Sequence, residues 1–136
     1  MVKRSIATAV ACLAGCLLMA SVVFTGLNTL AGKWRLVQLY GSEVGPLSSP
    51  ITLEFNSRGA LIGHSSCGLF TGRWRASEGS LRIKDLVPSK CACGELRAVE
   101  SKLLDAMGQA EQHRLGKNSL VLMHRGRTVA LLVPLG

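Results

Sequence analysis

The sequence predicts an α+β domain, an antiparallel sheet of about seven or eight short strands covered by a single helix. Three observations lead there. Between residues 51 and 87 apolar and polar side chains alternate in short runs separated by Gly- and Ser-containing turns, the pattern of successive hairpins. From residue 94 the apolar period lengthens from two to about 3.6, with Leu96, Val99, Leu103 and Met107 on one stripe. Three further short alternating runs follow the helix, joined by the turns Gly116-Lys117-Asn118 and Arg125-Gly126-Arg127. A sheet with one apolar face needs such a stripe to cover it.

The elements can be taken in order. A run at 30–40 opens the domain, with Trp34, Leu36 and Tyr40 expected on its inner side and Lys33 and Arg35 on its outer side. Residues 41–50, rich in Gly, Pro and Ser, form a loop. At 51–55 the side chains of Ile51, Leu53 and Phe55 point inward against Thr52 and Glu54, and Asn56, Ser57, Arg58 and Gly59 turn the chain into a strand at 60–64. A turn at 65–68 leads to a strand at 69–76, with Phe70, Gly72 and Trp74 on one face and Thr71, Arg73 and Arg75 on the other. Gly63 and Gly72 inside strands predict a bend, a bulge or the close approach of another backbone. Ser77, Glu78 and Gly79 turn into a strand at 81–87, with Leu81, Ile83 and Val87 inward and Arg82 and Lys84 outward. Pro88 ends that run. The helix then turns Glu95, Arg97, Glu100, Lys102 and Asp105 away from the sheet and stops near Gly108. Strands at 111–115, 120–124 and 128–133 complete the chain, and no internal repeat interrupts it.

Residues 1–29 stand apart from the domain at 30–136. A short basic start is followed at 6–30 by apolar and small residues without a charge, which is an export signal or a membrane anchor. Inside it Leu13, Ala14, Gly15 and Cys16 resemble the lipobox of bacterial lipoproteins, where the chain is cut before the cysteine and the thiol carries a diacylglycerol. Lipidation of Cys16 is placed first, an uncleaved anchor second and a plain cleaved signal third. In each case Lys3 and Arg4 hold the N-terminus inside. The expected location of the domain is therefore the periplasmic side of the cell envelope, anchored by lipid or by the N-terminal helix.

Subtracting that segment leaves about 105 residues, enough for one core. The whole chain is 48% apolar and 18% charged, so a folded domain is expected rather than disorder. Without Lys3 and Arg4 there remain 14 basic against 8 acidic groups, a net charge of +6. These basic residues do not form a run, and six aromatic residues in all are few for stacking on bases, so no nucleic-acid partner is expected. The charge is read as a solvated face, with attraction to anionic lipid or polysaccharide as the alternative.

Chemistry concentrates at 59–93. Cys67 lies in a tight turn, and Cys91 and Cys93 precede the helix. Exported cysteines tend to pair, and Cys91 and Cys93 are too close to each other to do so, so one of them is expected to reach Cys67. Closing a loop of about 25 residues would contribute about 3 kcal/mol. A zinc or copper(I) site from His64, Cys67, Cys91 and Cys93 is the metal alternative, and a low-pKa thiol near the helix start is the redox alternative. Ser65, Ser66 and Ser89 lie near His64 without a G-x-S-x-G elbow or an acid placed to orient a histidine. His113 and His124 read as surface residues, and Glu78 and Asp85 form no evident acid/base pair. No enzyme and no cofactor are expected.

The chain resembles the META domain, the HslJ-like family of small bacterial envelope proteins, from Leu30 to its end. Leu30-Ala31-Gly32-Lys33-Trp34-Arg35-Leu36 matches an L-x-G-x-W-x-L opening. Gly63-His64-Ser65-Ser66-Cys67-Gly68-Leu69-Phe70-Thr71-Gly72-Arg73-Trp74 corresponds to the family's G-x-x-G-C-N-x-x-x-G and its following aromatic. Ser89-Lys90-Cys91-Ala92-Cys93, with Glu100 in the helix behind it, corresponds to T-x-M-A-C ahead of a Glu-containing helix. Ser66 stands for the family's Gly, Gly68 for its Asn, which removes a side-chain amide, and Cys91 for its Met, which adds a thiol. The resemblance implies a curved antiparallel sheet wrapped around a single helix, a Cys67–Cys93 bridge, and no assigned enzymatic activity. The expected function is a non-enzymatic envelope lipoprotein with a binding or structural role, linked to stress or drug tolerance, whose partners are the membrane and an envelope protein or ligand. An inhibitor-type module binding a secreted protein and a metal or redox protein using Cys67, Cys91 and Cys93 are the alternatives.

Overall fold

The structure, a computed structural model, describes residues 30–45, 50–65, 67–90 and 95–135, with the side chains of Glu95 and Leu96 set aside. Cys16 and its lipobox, Cys91 and Cys93 lie outside the described residues, as does the side chain of the stripe position Leu96. The strands are β1 (Gly32–Leu39), β2 (Ser42–Glu43), β3 (Thr52–Phe55), β4 (Ala60–Ser65), β5 (Gly68–Ser77), β6 (Ser80–Val87), β7 (Gln112–Leu115), β8 (Leu120–His124) and β9 (Arg127–Pro134), with helix α1 (Glu95–Gln109) between β6 and β7. All pairings are antiparallel, and β1 pairs with β3 on one edge and β9 on the other, so eight strands close into a barrel. The two-residue β2, which the sequence does not announce, is an annex on the end of β1.

Alternation holds along most of the barrel because short antiparallel strands with one wet face have no other way to bury their apolar residues. Ile51, Leu53, Phe55, Leu61, Phe70, Leu81 and Ile83 are buried as expected. At Gly63 the approaching group is a side chain rather than a backbone. Gly63 faces Phe70 directly across the β4–β5 ladder, and a Cβ there would sit 1.9 Å from the Phe70 ring, so glycine makes the space that the ring fills.

Two bulges overturn expected orientations. The β1–β9 register shifts between Leu36 and Gln38, so Leu39 takes the next inward place. Tyr40 is 38% exposed instead of inward, and with Gly41 it forms a two-residue corner in which both residues have positive φ, 49° and 80°. From that corner its hydroxyl donates to Asp105 Oδ2 at 2.7 Å, tying the end of β1 to the helix. The second bulge is in β6. Arg73 pairs with Lys84 but Thr71 with Val87, and Asp85 at φ 55° absorbs the extra residue. Leu86 then packs against the core and Val87, expected inward, is 52% exposed on the outer face.

The helix lies against β6, β9, β1 and β8. In the chain it connects β6 to β7, which share the single register pair Ser80 with Gln112. Leu103, Ala106 and Met107 are fully buried and Ala110 nearly so, while Val99 is partly buried. The helix ends at Gln109, one residue beyond Gly108, near which the stop was expected, and a Cβ on Gly108 would meet Leu86 at 3.7 Å, an ordinary contact. Glu100 corrects the expected polar face. It is 2% exposed and accepts hydrogen bonds from the backbone N–H and hydroxyl of Ser89, at 3.3 and 2.8 Å. A buried carboxylate is tolerated only with such partners, and Ser89, 3% exposed, supplies two of them.

Candidate functional site

The barrel interior is filled by side chains, which directs attention to its outer faces. On β5 the residues Arg73 and Arg75 point outward, and on β6 so do Arg82 and Lys84. The two-residue turn Glu78-Gly79 sets the hairpin register, which places Arg73 directly opposite Lys84 and Arg75 directly opposite Arg82. Arg58 arrives from the β3–β4 turn. That turn is held by an Asx contact from the Arg58 N–H to Asn56 Oδ1 at 2.6 Å, and it is fastened to β5 by the Trp74 N–H donating to Gly59 O at 2.9 Å. Together these residues line a cleft of about 460 Å³, bounded also by Gly59 and Trp74.

No carboxylate lines the cleft, and among the described residues no ion pair reaches its five cations. Like charges directly opposite on a ladder destabilise a hairpin, and two such pairs stand side by side here. The guanidinium fork suits bidentate contact with carboxylate, sulfate or phosphate oxygens, so the arrangement is chemically fit to hold an anion with more than one charge. Trp74 is not free to stack on a base. Its ring meets Phe55 edge-on at 5.5 Å, and its indole N–H donates to Asn56 O at 2.9 Å.

The residues singled out from the sequence are not gathered around this cleft. His64 is exposed on β4, whereas Cys67 is fully buried in the turn between β4 and β5. The Cys67 N–H donates to Ser65 Oγ at 3.2 Å, and Ser65 Oγ donates to Gly68 O at 3.4 Å, so Ser65 is a turn-holding hydroxyl. Ser89 is taken up by Glu100. Among the described residues, no group of three or more His, Cys, Asp and Glu could hold a metal ion. His113 Nδ1 lies 2.9 Å from Ser80 O at the barrel seam. His124 Nδ1 is 3.9 Å from Glu111 Oε1, an oxygen already accepting from the Arg125 N–H at 2.8 Å. The cationic cleft was missed because the charges do not form a run. The signal that could have found it is the symmetry of Arg73 and Arg75 with Arg82 and Lys84 about a two-residue turn.

Comparison with known proteins gives a consistent picture of the fold. A family profile, the META domain, matches residues 27–134. The crystal structure of a DUF4847 family protein from Bacteroides vulgatus ATCC 8482 is similar at a TM-score of 0.59 and 16% identity, over 76% of this chain and 92% of that one. A second solved structure, determined by NMR, is similar at a TM-score of 0.59 and 20% identity, over 75% of this chain and 88% of that one. No curated protein matches the sequence. At these identities the solved structures speak to the fold alone.

Proposed function

Because the chain belongs to the META domain family, we propose that it is a non-enzymatic protein of the bacterial cell envelope that works by binding at a membrane face. In this reading Cys16, acylated after cleavage of its lipobox, or failing that the uncleaved apolar segment, tethers the domain on the periplasmic side. The observation that carries the binding role is the cleft of Arg58, Arg73, Arg75, Arg82 and Lys84, whose paired like charges lack a partner of opposite sign within its lining. A purely structural domain would gain stability by losing them. Cys67, buried at the β4–β5 turn, suits a bridge to Cys93 ahead of the helix, which leaves Cys91 as the unpaired thiol.

Intact mass of protein extracted from membranes tests the reading. The expected species begins at Cys16 with a diacylglycerol added, and alkylation without reductant marks Cys91 alone. An unmodified chain starting at Met1 would remove the lipoprotein, and alkylation of Cys67 would remove the bridge.

A further inference from the structure

The β6 bulge does more than reorient one residue. With strict alternation Val87 would join Leu81 and Ile83 inside; the extra residue at Asp85 instead puts it beside Thr71 on the outer face. Leu69, two residues before Thr71 on the same side of β5, is 55% exposed, and Val87 is 52% exposed. One outer face of the β5–β6 hairpin therefore carries two bare apolar side chains at one end and the like-charge pairs Arg73–Lys84 and Arg75–Arg82 along the rest.

We propose that this face is a docking surface for an anionic phospholipid bilayer. The guanidinium and ammonium groups engage headgroup phosphates in the cleft, and Leu69 and Val87 enter the interface beside them. Charge complementarity selects the partner, since each cation is attracted to the surface potential of an anionic leaflet and a neutral leaflet offers none. The exposed apolar pair on the same face distinguishes a membrane from a soluble polyanion, which would leave Leu69 and Val87 in water. The occupied ring and N–H of Trp74 argue against single-stranded nucleic acid, whose bases need a free aromatic face. The inference rests on the envelope reading above and names the partner of the same cleft. The tether holds the chain at the membrane; the hairpin face sets which side of the barrel meets it.

The test uses the full-length chain in nanodiscs of phosphatidylcholine alone and of phosphatidylcholine mixed with phosphatidylglycerol, both containing a spin-labelled lipid, with backbone amide signals as the readout. The expected result is loss of the Leu69 and Val87 amide signals in the anionic nanodiscs only. The double variant Arg75→Glu/Arg82→Glu should restore both signals, while unchanged shifts elsewhere show that it is folded. Leu69→Ser/Val87→Ser should weaken the loss without abolishing the salt-sensitive contact at the cations. Equal signal loss in neutral and anionic nanodiscs, or loss that survives charge reversal, overturns the proposal. So does saturation of the cleft amides by inorganic pyrophosphate with Leu69 and Val87 unaffected by anionic lipid, which assigns a soluble phosphoryl ligand instead. A chain that inserts in neither nanodisc contradicts the tether, and docking is then read from the same amides with anionic nanodiscs added from outside.

Discussion

Glu100 occupies a helix position whose neighbours in the polar pattern, Lys102 and Asp105, are exposed, yet its own carboxylate is buried against Ser89. Both hydrogen bonds come from one residue, at 2.8 and 3.3 Å, so the segment after β6 and helix α1 are joined through a single side chain. Removing the hydroxyl leaves a buried carboxylate oxygen without its best donor, which costs about 1–3 kcal/mol. Ser89→Ala should accordingly lower the urea midpoint with an unchanged slope, whereas Ser89→Thr, which keeps the donor, should lose less. An Ala variant with the wild-type midpoint would show that water replaces the Ser89 contact. Gly63 works at the same scale by the opposite means, since what matters there is the absence of an atom where the Phe70 ring lies.

Between elements, Tyr40 links the β1 corner to α1. Its phenol is pushed up from 10.0 to about 12, first by burial, then by the hydrogen bond to Asp105 and the repulsion of that carboxylate for a phenolate. Lys102 Nζ lies 5.8 Å from the Tyr40 ring centroid on the same helix. The folded pKa lies above the unfolded value, so the protonated phenol is the form the fold favours. Its contribution is fully present below pH 10 and is lost as pH rises through about 12. Tyr40 is the sole tyrosine, so phenolate absorbance reports it without interference from another. The folded protein should titrate near 12 and the urea-unfolded chain near 10, and Asp105→Asn should bring the folded midpoint part of the way down, burial remaining. A folded midpoint already at 10 would mean that the β1 corner is not held against the helix in solution.

For the whole molecule, the closed barrel has one weak ladder. Six register pairs join β4 to β5, but β6 and β7 share one, supplemented by the Leu81 N–H to Glu111 O and His113 N–H to Gly79 O bonds, each 2.9 Å. The helix packs on β6, β9, β1 and β8 and buries Leu103, Ala106 and Met107, so the core beside that seam is filled although its ladder is short. Opening should begin where few backbone bonds must break. Native-state hydrogen exchange is expected to release the Leu81 and His113 amides before those of Ile62 and Phe70. Uniform protection around the barrel would show that the β6–β7 seam is closed as firmly as a full ladder.

The order of strands, their antiparallel pairing, the position of the helix and most inward residues were legible in the sequence, because burial in short two-faced elements imposes periods of two and about 3.6 that composition records directly. Eight strands on one helix also follow from hairpin turns that fix register locally. Bulges are different. The extra residues near Val37 and at Asp85 are accommodated by backbone geometry that depends on the facing strand, so Tyr40 and Val87 changed sides without any local cue. Glu100 likewise reads as a surface residue until the fold delivers Ser89 to it. The candidate site lies between these cases: its cations are spaced regularly in the chain, but only pairing across β5 and β6 makes them one patch, and only the bulge sets Val87 beside them. Sequence determined the elements because their causes are local; the tertiary structure decided the functional face because that face is built from residues of two strands and a turn that meet only after the barrel has closed.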